Sequence, residues 1–167
     1  METSSTRSEN IRSFIFGVED SLVSTVGLIS GIAVVGVAKP ILLLTGIVLI
    51  FVEAFSMSTG ELLSDNSVKE FQKHHSVPFN KSIHASLVMF FSYFFSGFIV
   101  LAPYLFLERS SAIVLSIILS VSTLFALGLL SAHFSGTALV RKGFVMALLG
   151  GLAIVIGVAV SSIVNGL

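Results

Sequence analysis

Apolar residues run through this chain in five long blocks separated by short polar interruptions, and the block lengths set the architecture. Each block reaches the roughly 20 residues that a helix needs to cross a hydrocarbon layer. The hydropathy pattern places spans at about 11–38, 40–64, 82–107, 111–133 and 143–164. Lys39-Pro40 separates the first two, because proline suits the first turn of a helix and not its interior. Glu108-Arg109-Ser110 supplies the tight turn between the third and fourth. The expected fold is therefore all-α, an integral membrane bundle of five transmembrane helices in one domain (residues 11–167). Residues 1–10, METSSTRSEN, read as a short polar N-terminal tail without the basic start and apolar core of a secretory signal. Residues 65–81, DNSVKEFQKHHSVPFNK, read as the one sizeable polar loop.

Composition agrees. Of the 167 residues, 54% are hydrophobic and 11% charged, whereas a soluble domain carries about a quarter charged residues. Acids and bases balance, so no basic field points to nucleic acid. Cysteine is absent, which removes disulfides and thiolate metal ligands. Basic residues orient the bundle. With the N-terminus in the cytoplasm, all of them except Lys39 and Arg109 fall on the cytoplasmic side, as the positive-inside rule requires. Five spans then send the C-terminus to the opposite side.

Inside the spans the informative residues are acids. Glu19 and Asp20 lie in the first span, Glu53 and Glu61 in the second, and no lysine or arginine neighbours them in sequence. A carboxylate at the centre of a membrane helix costs about 2.5–3.5 kcal/mol, and such residues normally face a cavity, a partner or an ion path. In FVEAFSMSTGELLSD, Glu53, Met57 and Glu61 are spaced four apart and so share one side of a helix. If the first two spans form a hairpin turning at Lys39, Asp20 comes level with Ser58, within a turn of Met57 and Glu61, and Glu53 lies one turn deeper. Glu19 points about 100° away from Asp20, so only one of the two can face this stripe. Carboxylates with a thioether, and no cysteine, favour ferrous iron or manganese over zinc or copper. Desolvation favours protonated carboxylates, so protons can take the place of a departing metal.

At these residues the chain resembles the vacuolar iron transporter family. IFGVEDSLVSTVGLISGIAVVG is similar to that family's first-helix pattern, G-x-x-D-G-L-V-S. SMSTGELLS is similar to its second-helix signature, S-M-x-x-G-E. APYLF and RKGFVMALLGGLAIVIG fit the same family more loosely. The resemblance implies a homodimeric exchanger of divalent iron, and sometimes manganese, against protons, with its path at the dimer interface. It implies that Asp20 and Met57 line that path and that Glu61 is the signature glutamate; Glu53 rests on spacing alone. Two departures stand out. The glutamate-rich cytoplasmic domain of many members is replaced here by the loop 65–81, and Ser21 stands where the pattern has glycine.

Secondary candidates complete the reading. Gly27 and Gly31 form a G-x-x-x-G pair suited to close helix packing, either within the subunit or at a dimer seam. His74 and His75, with His84 beyond, could offer imidazoles at the cytoplasmic mouth, although a histidine pair in a polar loop is more often solvated. His133 reads as an interface residue, Asp65 and Glu70 as solvated loop acids, and the MFFSYFF run as lipid-facing or core packing. The expected function is a transporter carrying ferrous iron or manganese out of the cytoplasm. It would hold no permanent cofactor, pair as a homodimer and contact membrane lipid. The short form points to a prokaryotic plasma membrane, with a vacuolar or other organelle membrane as the alternative. A passive cation channel and a non-transporting assembly or sensor subunit are the competing readings. An intramembrane enzyme is disfavoured, since no G-x-S-x-G or H-E-x-x-H motif occurs.

Overall fold

A computed structural model describes the backbone of residues 2–166, with side chains from Arg7 onward, Lys81 excepted. Five long helices follow in order: α1 (Glu2–Val34), α2 (Lys39–Lys73), α3 (Ile83–Phe106), α4 (Arg109–Ser135) and α5 (Leu139–Asn165), with a 3-10 turn at Phe79–Lys81 before α3. All five are long and apolar enough to cross a membrane, and no strand occurs among the described residues. In lipid a helix is the economical solution, because it satisfies every interior backbone N–H and C=O within one segment. Large apolar side chains cover the outside of the bundle, including Phe55, Phe95, Phe106 and Ile163, as a lipid-facing surface requires.

Two boundaries differ from those read from hydropathy. Residues 2–10 continue α1 as helix instead of forming a separate tail, and residues 65–73 extend α2 through half of the expected loop. At 35 residues, α2 is about 50 Å long against a hydrocarbon layer of about 30 Å. The two polar extensions hold each other by ion pairs: Lys69 Nζ lies 2.6 Å from Asp65 Oδ2 and 3.3 Å from Glu9 Oε2. Asp65 is thus buried and paired, not a solvated loop acid. Glu70 accepts a hydrogen bond from the Val77 backbone N–H at 3.1 Å, which fastens the turn that follows. Hydropathy windows register apolar length, and a helix whose polar side chains pair with another helix escapes them.

Helix α1 is the hub. It touches all four other helices and packs most extensively on α3 and α5. Its fully buried stripe of Leu22, Val26, Ile29 and Ala33 recurs at helical spacing and joins Leu124 and Leu127 of α4 in the core. On another face Gly27 and Gly31 meet α5 within the same subunit. A Cβ on Gly27 would stand 2.9 Å from the Ala153 carbonyl oxygen, and one on Gly31 2.5 Å from that of Gly157. The G-x-x-x-G pair therefore serves an internal seam, and it is met by small residues from α5.

The opposite end of the bundle from the N-terminus is closed by two cations on backbone oxygens. Lys39 Nζ donates to the Leu105 and Leu107 carbonyls, each at 3.2 Å, where α3 ends. Arg109 donates to the Val37 carbonyl at 2.8 Å, beside Gly36, whose φ of 87° turns the chain between α1 and α2.

The α1–α5 seam gives a direct test. A Cβ on Gly157 would run into the Gly27 carbonyl, whereas one on Gly151 meets nothing within 4 Å. Gly157→Ala is expected to cost roughly 1–3 kcal/mol of stability by overpacking. Gly151→Ala should leave thermal denaturation in detergent unchanged.

Candidate functional site

The acids of α1 and α2 separate into two levels, and the levels are not those of a hairpin turning at Lys39. Glu61 faces Arg12 and Ser13: its Oε1 lies 2.7 Å from Arg12 Nη2 and 2.6 Å from Ser13 Oγ. Asp20 has the Glu53 carboxylate within electrostatic reach. Because α1 ends at Val34 and Gly36 turns the chain, the hairpin is centred near Val37. The register on α2 is therefore about one helical turn away from that expectation. Glu53, not Glu61, is level with Asp20. Met57 lies one turn towards the end that carries the N-terminus and most of the basic side chains, here the basic end, and Glu61 two turns.

Glu61 also has the cation that its sequence neighbourhood lacks. Its side chain is only 8% exposed, Ser13 is fully buried, and Arg12 closes over them with its own side chain 64% exposed. The expectation of a partnerless Glu61 fails because Arg12, at the edge of the first span and remote in sequence, returns to it through the helix register. Glu19 likewise has Lys142 of α5 within electrostatic reach, on a different side of α1 from Asp20.

Asp20 and Glu53 differ from both. Each is half-buried, and among the described residues neither a hydrogen-bond donor nor a cation pairs with either carboxylate. Two like charges within reach of each other and partly shielded from water repel, and the repulsion is relieved by any positive charge near both. Met57, also half-buried, is the soft donor nearest along α2.

A third helix frames the pair. Tyr93 of α3 is fully buried and within electrostatic reach of Asp20 and Glu53, and its hydroxyl shares a 2.8 Å hydrogen bond with Ser24 Oγ. Ser21 Oγ donates to the Tyr93 carbonyl oxygen at 2.7 Å. The serine at the glycine position of the first-helix pattern thus ties α1 to α3. Tyr93 was hidden inside an aromatic run whose other members do pack and face lipid: Phe91 and Phe95 are exposed, and Phe94 meets Phe51 edge to face at 5.0 Å. A hydroxyl-bearing ring among phenylalanines was the available signal.

The histidines lie elsewhere. His74 ends α2 in the left-handed conformation, at φ 54°, and His75 Nδ1 donates to the Lys73 carbonyl at 2.8 Å; both are exposed, well over ten residues along α2 from Met57. His84 lines an apolar groove of about 660 Å³ between α1 and α3, with Phe14, Phe91 and Phe95. His133 is exposed near the end of α4. Among the described residues, no three His, Asp or Glu side chains of one chain converge to hold a metal ion.

Comparison with known proteins bears on the same residues. The sequence pattern of the VIT family matches residues 11–79 and 71–162, which takes in all five helices. The chain belongs to the VIT family. No curated protein matches it significantly. Membership makes it a multi-pass membrane protein of a transporter family, consistent with metal transport in general. The five-helix form carries only the α2 extension and the turn at Phe79–Lys81 between its second and third spans.

Ser13 provides a test of the lower level. Its hydroxyl bonds a charged, buried acceptor, and Ser13→Ala is expected to cost about 1.5–3 kcal/mol. Thermal unfolding in detergent should show that loss, and it should shrink in a Glu61→Leu background, where only the Glu9 carbonyl, 3.0 Å from the hydroxyl, remains as acceptor.

Proposed function

We propose that this VIT-family protein is a homodimeric exporter of divalent transition metal, ferrous iron or manganese, that exchanges metal for protons. The observation that carries the reading is the Asp20–Glu53 pair, two half-buried carboxylates of neighbouring spans within electrostatic reach of each other and, among the described residues, paired with no cation. A buried group that the fold leaves charged and unpaired is costly, and the cost is lifted by a cation that arrives and leaves. Asp20 and Met57 act as pathway ligands, Glu53 shares the charge and carries protons, and Glu61 belongs to the approach on the basic end. One chain offers too few ligands for a closed site, and a second copy doubles the donor set. Helix α2 carries a surface suited to that: Gly60 and Ser64 are exposed, share a face with Glu53 and Met57, and a Cβ on Gly60 would meet nothing within 4 Å. The basic end lies in the cytoplasm by its charge, and the membrane is a prokaryotic plasma membrane.

Proteoliposomes test the transport reading. Wild-type protein should take up iron(II) and manganese(II) when a proton gradient opposes the metal, and collapse of the gradient should slow uptake. Asp20→Ala and Met57→Leu should each reduce the rate at least about tenfold, equivalent to roughly 1.4 kcal/mol in the barrier. Full uptake in both variants would refute the site, and flux indifferent to the gradient would favour a channel.

The dimer reading has its own test, made simple by the absence of cysteine. Gly60→Cys is expected to give a cross-linked dimer with a short bifunctional thiol reagent in membranes. A Phe106→Cys control, on an exposed residue of α3, should stay monomeric.

A further inference from the structure

Along the seam between α1 and α2, burial runs against depth. At Glu61 and Ser13, towards the basic end, the seam is sealed; two turns further into the bundle, Asp20 and Glu53 are half-exposed. The seal is ionic. Arg12 and Ser13 hold Glu61, and on the extensions of the two helices Lys69 bridges Asp65 to Glu9, with Ser82 Oγ at 3.5 Å from the same ammonium. These groups stand between the basic end and the Asp20–Glu53 pair. The members differ in how firmly they are held. Ser13 is fully buried and Lys69 largely so, whereas Arg12 is 64% exposed and can rotate into water without opening the core. An arginine held by one buried carboxylate and otherwise solvated can leave without repacking. What holds it is the cost of leaving Glu61 without a cation, a cost that another cation or a proton removes.

We propose that the Arg12–Glu61 pair is a displaceable latch that closes the route from the basic end to Asp20 and Glu53. The inference rests on the pathway reading for its purpose, though not for its test. With Arg12 on Glu61, α1 and α2 are drawn together two turns short of the acidic pair. With Arg12 swung to solvent, Glu61 keeps only the Ser13 hydroxyl and the seam loosens at that level. Arg12 is in this sense a positioning residue. It touches no cargo and decides whether the carboxylates beyond it can be reached. Glu61, the glutamate of the second-helix signature, then serves as the latch's fixed half in the closed state.

The natural absence of cysteine allows a measurement that needs no transport. Ser24 lies one turn beyond Asp20 and is half-buried, so Ser24→Cys reports on reagent that has passed the acidic pair. A small, membrane-impermeant cationic thiol reagent is applied to the basic face of vesicles, and the labelling rate is measured. Slow labelling is expected with Arg12 intact, and a rise of at least about tenfold with Arg12→Gln. Arg12→Lys, which keeps the charge, should remain slow. Glu61→Gln, which preserves volume and the Ser13 contact, should accelerate labelling as Arg12→Gln does, and it serves as the second reading if Arg12→Gln folds poorly. The exchange Arg12→Glu with Glu61→Arg should restore the slow rate. Labelling within twofold of the background in Arg12→Gln, or in Glu61→Gln where the first variant is unstable, overturns the latch. Failed metal uptake with accelerated labelling would remove the transport reading and leave the latch standing.

Discussion

A carboxylate carried into an apolar environment must find positive company, and the arrangement of this bundle follows from how each acid does so. Desolvating a charge costs far more than any single packing contact returns, so the acids govern which helix faces meet. Glu61 takes Arg12 and a serine hydroxyl, Asp65 takes Lys69, and Glu19 has Lys142 within reach. Each of these unions joins parts of the chain that polarity alone would have sent to water. What remains, among the described residues, is Asp20 with Glu53, within reach of each other and paired with no cation. One pair left open while its neighbours are closed is the arrangement expected where the missing charge is a mobile one.

The open pair can exist because α1 is held from the other sides without help from charge. Glycines 27 and 31 let it lie almost backbone to backbone on α5, Ser21 ties it to an α3 carbonyl, and an apolar stripe faces α4. In lipid there is no hydrophobic force between helices, so close van der Waals packing and interhelical hydrogen bonds must do the holding. That leaves α2 the least constrained partner of α1. It leans mainly on α3; it meets α1 through ion pairs at the basic end and through apolar contact, such as Ile29 against Gly46, nearer the other end. Leu42 and Ile50 of α2 are nevertheless buried in the common core, which anchors that helix beyond the ion pairs.

Much of the fold was legible, and the reasons for the rest are specific. Five apolar blocks and the Lys39-Pro40 break gave the helices and their order, since lipid permits almost nothing else. The helix ends were not legible where polar residues pair across a gap, as Lys69 does with Asp65 and Glu9. The register between α1 and α2 was misjudged by a turn because proline marks where α2 starts, while Gly36 sets where the chain reverses. Asp20, Glu53 and Met57 were identifiable as chemistry in lipid, yet their relative depth depended on that one glycine. Arg12 escaped notice because it sits at the edge of a span, where a basic residue reads as an orientation signal. GLISGIAVVG of the first span and GGLAIVIG of the fifth are both small and apolar. In the structure the two stretches lie against each other, with Gly27 on Ala153 and Gly31 on Gly157.

The two ends of the bundle are held by different chemistry, and the difference bears on what each end responds to. At the end carrying Lys39 and Arg109, the cations sit on backbone carbonyls at the termini of α3 and in the turn after α1. Carbonyl oxygens at helix ends are permanent partial charges, so these bonds are indifferent to protonation across the physiological range. At the basic end the cations sit on carboxylates, whose charge can be cancelled by a proton or claimed by another cation. A closure of the first kind responds only to movement of the helices themselves. A closure of the second kind responds also to what is dissolved at its surface. The two faces therefore differ in kind: the ion pairs at the basic end involve charges that a proton or cation can cancel, and the carbonyl contacts at the other end do not.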